Sequence, residues 1–268
     1  MALNATGERM IVEEYSSSIE DYVIYLMHIA SYRWVTDFIR DRRVLDLGCG
    51  SGYGAATMAE HAASVEGIDV SHEAVEHAAS SFSRPNLRYS SFDPEQPLPF
   101  DDGSFDVVTS FQVIEHVEDL DLYVSEARRL LRPGGRFIVI TPDRAYRLFP
   151  WQKPWNRWHR DEFSATTLRT LLSRHFPSVD MQAMSGDAQL CQPEIDRCRK
   201  LKWMTAPFTL GVYPQSLRVG LLNLLHAANR RDGTGRPALE FDLDASQVRI
   251  GPGLEPSLNL VAIASKPE

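Results

Sequence analysis

Between residues 40 and 141 short apolar, β-rich runs alternate with helical stretches, the pattern of parallel βαβ units. Residues 44–47 read as a buried strand, 54–62 as an alanine-rich helix carrying Met58, and 64–68 as a second strand ending at Asp69. Ser71 then stands where an N-cap belongs, with Glu73 in the first turn, where the helix dipole favours a carboxylate. Further strands are expected at 86–90 and 105–110, the latter introduced by the turn Asp101-Asp102-Gly103-Ser104. Residues 120–131 are amphipathic, with Leu122, Tyr123, Ala127, Leu130 and Leu131 on or near one helix face. Pro133-Gly134-Gly135 stops that helix, and 136–141 is a fifth strand.

Beyond Pro142 the texture changes. Residues 144–160 are loop-like and hold Trp151, Trp155 and Trp158; 165–175 is helical and 178–182 a sixth strand. Residues 187–240 read as helices with polar breaks such as Arg231-Asp232-Gly233-Thr234-Gly235, and 258–264 as an apolar strand closing the sheet. The fold class is therefore α/β: a doubly wound, mostly parallel seven-stranded sheet with a late helical insertion. Its expected organisation is an N-terminal helical segment at 1–40, an α/β core at 41–186, an inserted cap at 187–240 and closing strands of the core sheet at 241–268.

Composition narrows the function classes. The 268 residues suit one sizeable domain, and a net charge of −8 argues against bulk nucleic-acid binding, which needs a basic surface. The three cysteines, Cys49, Cys191 and Cys198, form no Cys-x-x-Cys pair, so neither a disulfide framework nor a metal centre is expected, and reduced thiols point to the cytoplasm. Residues 1–9 lack the apolar core of a signal peptide, and the longest apolar stretch, 203–225, is broken by Pro207 and Pro214 and carries Arg218, so no transmembrane segment is expected.

The chemistry is concentrated after the first strand, in Asp46-Leu47-Gly48-Cys49-Gly50-Ser51-Gly52-Tyr53-Gly54. Glycines there let a ligand approach the backbone, and the next helix offers its unpaired N–H groups. The spacing Gly50-x-Gly52-x-x-Ala55, with Asp69 downstream, also satisfies a dinucleotide fingerprint, so an NAD-type oxidoreductase is a rival reading. Asp46 decides between them. A pyrophosphate beside it would meet a like charge, costing roughly 1 kcal/mol at about 4 Å in water and about 4 kcal/mol at intermediate dielectric. A ligand with cationic ammonium and sulfonium groups would be attracted instead.

In these residues the chain resembles the class I S-adenosylmethionine-dependent methyltransferases, in their small-molecule, type 11-like branch. Residues 44–52 are similar to the first motif of that family and Gly67-Ile68-Asp69-Val70-Ser71 to its second. The run Leu98-Pro99-Phe100-Asp101-Asp102-Gly103-Ser104-Phe105-Asp106-Val107-Val108, then Glu115-His116 and Leu130-Leu131-Arg132-Pro133-Gly134-Gly135, follow in family order. The resemblance implies S-adenosyl-L-methionine as cofactor. It puts Asp46, Gly48 and Gly50 around the methionine moiety and Asp69 on the ribose hydroxyls. Val70 would lie against the adenine, Asp93 on its amino group, and Ser110 beside the sulfonium. Thr6-Gly7-Glu8-Arg9-Met10, with His28 and Tyr32-Arg33, is similar to a bacterial subgroup linked to glycan and sugar modification.

An oxygen acceptor needs its proton removed, and histidine suits that task near neutral pH. His116 follows the fourth strand and His159 the fifth, both at the ligand edge of the sheet. His159 is expected to be the base, with His116 fixing its loop and Glu115 and Glu162 orienting the two rings. The segment 144–160 contains Arg144, Arg147, Lys153, Arg157 and Arg160 with no carboxylate, and Arg197, Arg199, Lys200 and Lys202 follow in the cap. That positive charge suggests an anionic small-molecule acceptor, such as a phosphorylated or nucleotide-linked sugar. N- or C-methylation of a natural product, an aminopropyl transferase and a non-catalytic binding module stay open as alternatives.

Overall fold

The computed structural model describes residues 18–228 and 241–268. Alternation along the strands builds one sheet with two buried faces. Val44, Val107 and Ile138 point to one face and their neighbours Leu45, Val108 and Phe137 to the other. Five parallel strands come first: β1 (Arg43–Leu47), β2 (Ser64–Asp69), β3 (Leu87–Ser91), β4 (Phe105–Phe111) and β5 (Leu131–Pro142). Their order, with β6 (Ser178–Ser185), β7 (Arg249–Gly251) and β8 (Asn259–Ser265), is β3-β2-β1-β4-β5-β8-β6-β7. β8 runs antiparallel to both β5 and β6. The strand order reverses between β1 and β4, the position where open α/β sheets leave a ligand crevice.

The sheet has eight strands rather than the expected seven. The addition is β7, three residues paired antiparallel at the edge of β6, too short to show a period-2 pattern. Helices α3 (Tyr53–Met58), α4 (His72–Ser81), α5 (Leu120–Leu130) and α7 (Ala165–Ser173) connect the strands. Ser71 caps α4, accepting from Ala74 N–H, and Ser164 caps α7. The N-terminal helical segment forms α1 (Ile19–Trp34) and the short α2 (Thr36–Ile39); Val23, Leu26, Met27 and Ala30 give α1 its buried stripe. Residues 144–160 are loop apart from α6 (Arg144–Arg147). After β6 come α8 (Ala188–Thr205), which packs on α1 and α6, and α9 (Gln215–Ala228). The motif at Thr6–Met10 and the polar break at 231–235 lie outside the described residues. Among those described, no helix is long and apolar enough to cross a membrane.

Candidate active site

β1 hands over to the glycine loop at its carboxyl end. Gly48, Gly50 and Gly52 have φ of +90°, +53° and +86°, a region that side chains disfavour. A Cβ on Gly48 would lie 2.5 Å from Val113, and one on Gly52 would lie 2.4 Å from Ala78, so these two close the turn against its neighbours. At Gly50 a Cβ would meet nothing within 4 Å. Its backbone faces open space, the cradle a ligand needs. The N–H groups of Gly48 and Cys49 both donate to the Ile68 carbonyl, at 2.8 and 2.9 Å, and tie the loop to β2.

Two carboxylates flank the loop. Asp69, at the end of β2, accepts from Gly50 N–H on one oxygen and from Ser71 N–H on the other, each at 2.9 Å. Asp46 is buried in β1. Its Oδ1 accepts from the Thr109 hydroxyl at 2.9 Å, whereas Oδ2 has no hydrogen-bond partner among the described residues. Burial pushes the Asp46 carboxyl up to about 7, against the Thr109 hydrogen bond and with the help of nearby Asp69. An unsatisfied buried oxygen beside an open glycine cradle fits a cationic ligand group and disfavours a phosphate.

The cavity beyond the loop has a volume of about 420 Å³. Gly48, Gly50, Asp69 and Val70 line it, and Phe111, Gln112, Val113 and His116 follow from the end of β4. A shallower depression of about 650 Å³ between α5 and α7 contains none of the candidate residues. α1 contributes His28 and Tyr32 to the cavity wall, and the Tyr32 ring packs where a Cβ on Gly54 would otherwise sit. His28 lies 3.2 Å from the Tyr53 hydroxyl, and burial lowers its pKa to about 4, so it is neutral. Spacing put His28 and Tyr32 one helical turn apart, a signal weighed above only as a family likeness.

The opposite wall is built by the 3-10 turn Ile114–His116 and by Trp158 of the loop that follows α6, the lid loop. His116 lines the cavity beside Trp158, and its Nδ1 is 3.3 Å from the Trp158 carbonyl. His159 is buried behind it, the two rings edge-to-face at 4.9 Å. His159 Nδ1 is 2.9 Å from Glu162 Oε1, and Glu162 also accepts from Arg147 at 3.0 and 3.2 Å. Burial lowers both imidazoles. Against the upward push of burial, Arg147 and His159 hold the Glu162 carboxyl down at about 2. Glu115 is buried and accepts from the Thr141 hydroxyl at 2.9 Å. Its carboxylate and the two imidazoles place ligand atoms within 4.8 Å of one another, close enough to hold a metal ion.

Of the residues singled out in sequence, Gly48, Gly50, Asp69, Val70 and His116 meet at the cavity, whereas Asp46 is buried in β1 and does not line it, next in sequence to the lining residues Leu47 and Gly48. Ser110 is buried with its hydroxyl 2.8 Å from Tyr123, which lines the cavity in its place. Asp93 is exposed, accepts from Glu95 N–H and caps its own turn; its neighbour Phe92 reaches the cavity. Gln112 was not anticipated. It lines the cavity at φ +59°, a left-handed conformation with no sequence signature in glutamine. Four of the nine cations singled out in 144–160 and the cap pair with carboxylates: Arg147 with Glu162 and Glu194, Arg160 with Glu118, Arg197 with Glu194, and Arg199 with Asp196. Arg157 stacks over Trp158 at 4.8 Å.

Comparison with known proteins identifies the family. Residues 45–139 match the methyltransferase domain model Methyltransf_11. A probable S-adenosylmethionine-dependent methyltransferase of Mycolicibacterium smegmatis is 34% identical over 267 residues, 99% of this chain and 96% of that protein. A ubiquinone biosynthesis O-methyltransferase of Albidiferax ferrireducens is 37% identical over 114 residues, 41% of this chain and 45% of that protein. In structure, a methyltransferase of Thermotoga maritima described as S-adenosylmethionine-dependent superposes with a TM-score of 0.58 at 16% identity, covering 91% of this chain and 92% of that one. The motif order, the fold and a relative similar along its whole length make this chain a class I S-adenosylmethionine-dependent methyltransferase.

Proposed function

We propose that the chain methylates a hydroxyl of a small metabolite, a sugar or another acceptor carrying an anionic group, in the cavity that takes up the methyl donor. The observation that carries this reading is His116 in the same cavity as the glycine loop, with Trp158 beside it and Arg157 stacked on Trp158. On the donor side, Asp46 takes the ammonium group, Asp69 the ribose hydroxyls, and Gly48 and Gly50 leave room for the chain between them. Val70 offers an exposed apolar face to the adenine. The cofactor supplies an electrophilic methyl group; the chain holds the acceptor in line with it and removes the acceptor's proton.

The proton is removed at the wall formed by His116, with His159 and Glu162 behind it as positioning residues. This exchanges the roles expected from sequence, because His116 faces the cavity and His159 is buried. Trp158 suits the apolar face of a sugar ring and Arg157 an acidic substituent. The buried cysteines Cys49, Cys191 and Cys198, none in a disulfide, fit a cytoplasmic location. The test is methyl transfer from labelled donor to matched acceptors with and without a phosphate or carboxylate. Hydroxyl acceptors bearing the anion are expected to react best, with KM rising in salt and in Arg157→Ala. His116→Ala should lower turnover about 10²–10⁴-fold with donor affinity unchanged. Preference for an amine acceptor, or for a neutral acceptor without salt dependence, would overturn the reading.

A further inference from the structure

Exposed apolar surface is unevenly spread over the chain. Of the nine large apolar side chains that stand well exposed among the described residues, seven lie between residues 151 and 224, in the lid loop and the cap. Trp151, Trp203, Met204 and Val212 gather where the lid loop meets the end of α8, with Trp203 66% and Val212 83% exposed. Phe149 joins the two indoles, stacked on Trp151 at 5.3 Å and edge-on to Trp203 at 4.8 Å. Leu210 bridges to Gln152, and a Cβ on Gly211 would lie 2.9 Å from the Trp151 carbonyl, so Val212 is one residue from that contact.

The patch is fixed from beneath. Buried Gln152 donates to the Lys202 carbonyl and to the Thr205 and Thr209 hydroxyls, and the Lys153 N–H donates to the Thr209 carbonyl at 2.8 Å. Lid loop and cap thus present these rings as one preformed surface, and an exposed apolar patch of this kind marks an interaction site. Its surroundings are basic. Residues 144–160 and 197–228 hold ten lysines and arginines and no aspartate or glutamate, although the whole chain carries 36 acids against 28 bases. At the patch, the Lys202 ammonium lies 4.9 Å from the Phe149 ring centre and Lys153 donates to the Tyr213 carbonyl. Lys200 is exposed, with no hydrogen bond or ion pair to another described residue.

From this arrangement we propose that the face formed by Trp151, Trp203, Met204 and Val212 docks the protein onto a membrane surface rich in anionic lipid. Indole rings flanked by lysines suit the interface of such a bilayer, the rings at headgroup depth and the ammonium groups on lipid phosphate. A second copy docking through the same patch would bring two basic, acid-free surfaces together, which charge repulsion disfavours. Docking is peripheral, because no helix among the described residues is long and apolar enough to cross a membrane. It is independent of the acceptor's identity.

The experiment uses the full chain and lipid vesicles, with no acceptor present. Cosedimentation with phosphatidylcholine vesicles containing about 30% phosphatidylglycerol is compared with that on pure phosphatidylcholine. Binding to the anionic vesicles is expected to be at least about 10-fold tighter, and to weaken as added salt shortens the Debye length. Trp151→Ser and Trp203→Ser together should weaken it at least about 10-fold. Lys200→Glu should weaken it about 10–30-fold. S-adenosylhomocysteine binding, expected to be unchanged in every variant, reports that the fold is intact. Wild-type protein that stays in the supernatant would overturn the docking surface. So would equal binding to both kinds of vesicle, or binding that either set of substitutions leaves unchanged. Self-association abolished by Trp203→Ser, without vesicle binding, would assign the patch to a second copy instead.

Discussion

Asp46 and Glu162 are carboxylates of similar burial, 1% and 3% exposed, one in β1 just before the glycine loop and the other hydrogen-bonded to His159. Asp46 keeps one oxygen without a partner among the described residues, and burial raises its carboxyl to about 7. Glu162 is bound by Arg147 and His159 and sits at about 2 despite the same desolvation. The proposed donor wall thus has an unpartnered carboxylate oxygen, which the cationic group of the proposed donor would satisfy. The lid wall is complete within the chain, so its charges fix geometry. Sites that bind a charged ligand tightly tend to be unstable without it, and sites that position a reacting group are rigid beforehand.

The sharpest way to break the contrast is to remove the lid's anion. Glu162→Ala leaves Arg147 buried with Glu194 3.5 Å away as its remaining carboxylate, and deprives His159 of its hydrogen bond. A loss of about 3–5 kcal/mol of stability is expected, measured by urea denaturation. Equal stability of variant and wild type would show that the network is not what holds the lid. Next in size is Asp69→Ala, which removes both loop-ordering acceptors and the partner proposed for the ribose. Donor affinity should fall by about 2–4 kcal/mol in calorimetry. Unchanged affinity in a folded variant would remove Asp69 from the donor site. Gly52→Ala follows, at about 2 kcal/mol of stability, since φ is +86° and the new methyl would lie 2.4 Å from Ala78. A thermal melt matching the wild type would show that α4 gives way there.

The same contrast explains what was legible in the sequence. The donor wall is local: Asp46 and Gly48 to Gly52 are consecutive, and Asp69 ends the next strand, so glycine spacing and apolar runs placed them without knowledge of the fold. The lid wall depends on pairs remote in sequence, such as Arg147 with Glu194 and the Arg218 guanidinium with the His159 carbonyl at 2.8 Å. Arg218 read as an interruption of an apolar run, yet it is fully buried and also bonds the Asn156 carbonyl. Its charge tethers the lid loop to α9. The basic segments likewise suggested a field aimed at an anion, yet Arg147 is buried against Glu162 and Glu194, Arg160 pairs with the remote Glu118, and only Arg197–Glu194 and Arg199–Asp196 are pairs that helical spacing could announce. His116 and His159 both looked to be at the ligand edge because strand order fixes where loops emerge, and not which side chain is on top.

The smallest predicted effect tests the donor wall alone, through its titration. With its carboxyl near 7, Asp46 is mostly ionised at pH 8 and mostly protonated at pH 6. A ligand ammonium prefers the ionised form, so donor binding should weaken about tenfold from pH 8 to pH 6, roughly 1.4 kcal/mol, and release protons below pH 7. Stability without the donor runs the other way. Because the folded pKa is raised above the usual carboxylate value, the native chain holds this proton more tightly than the unfolded one. The contribution of Asp46 to stability therefore falls as pH rises from about 4 to 7, and is level above. Asp46→Asn should abolish both dependences, melting higher than the wild type at pH 8 without donor while binding the donor more weakly there. Calorimetry across pH 6–8, repeated in buffers of different ionisation enthalpy, measures the affinity and the proton count together. An affinity flat across that range would mean that Asp46 is already ionised at pH 6, and that the donor wall is no more incomplete than the lid.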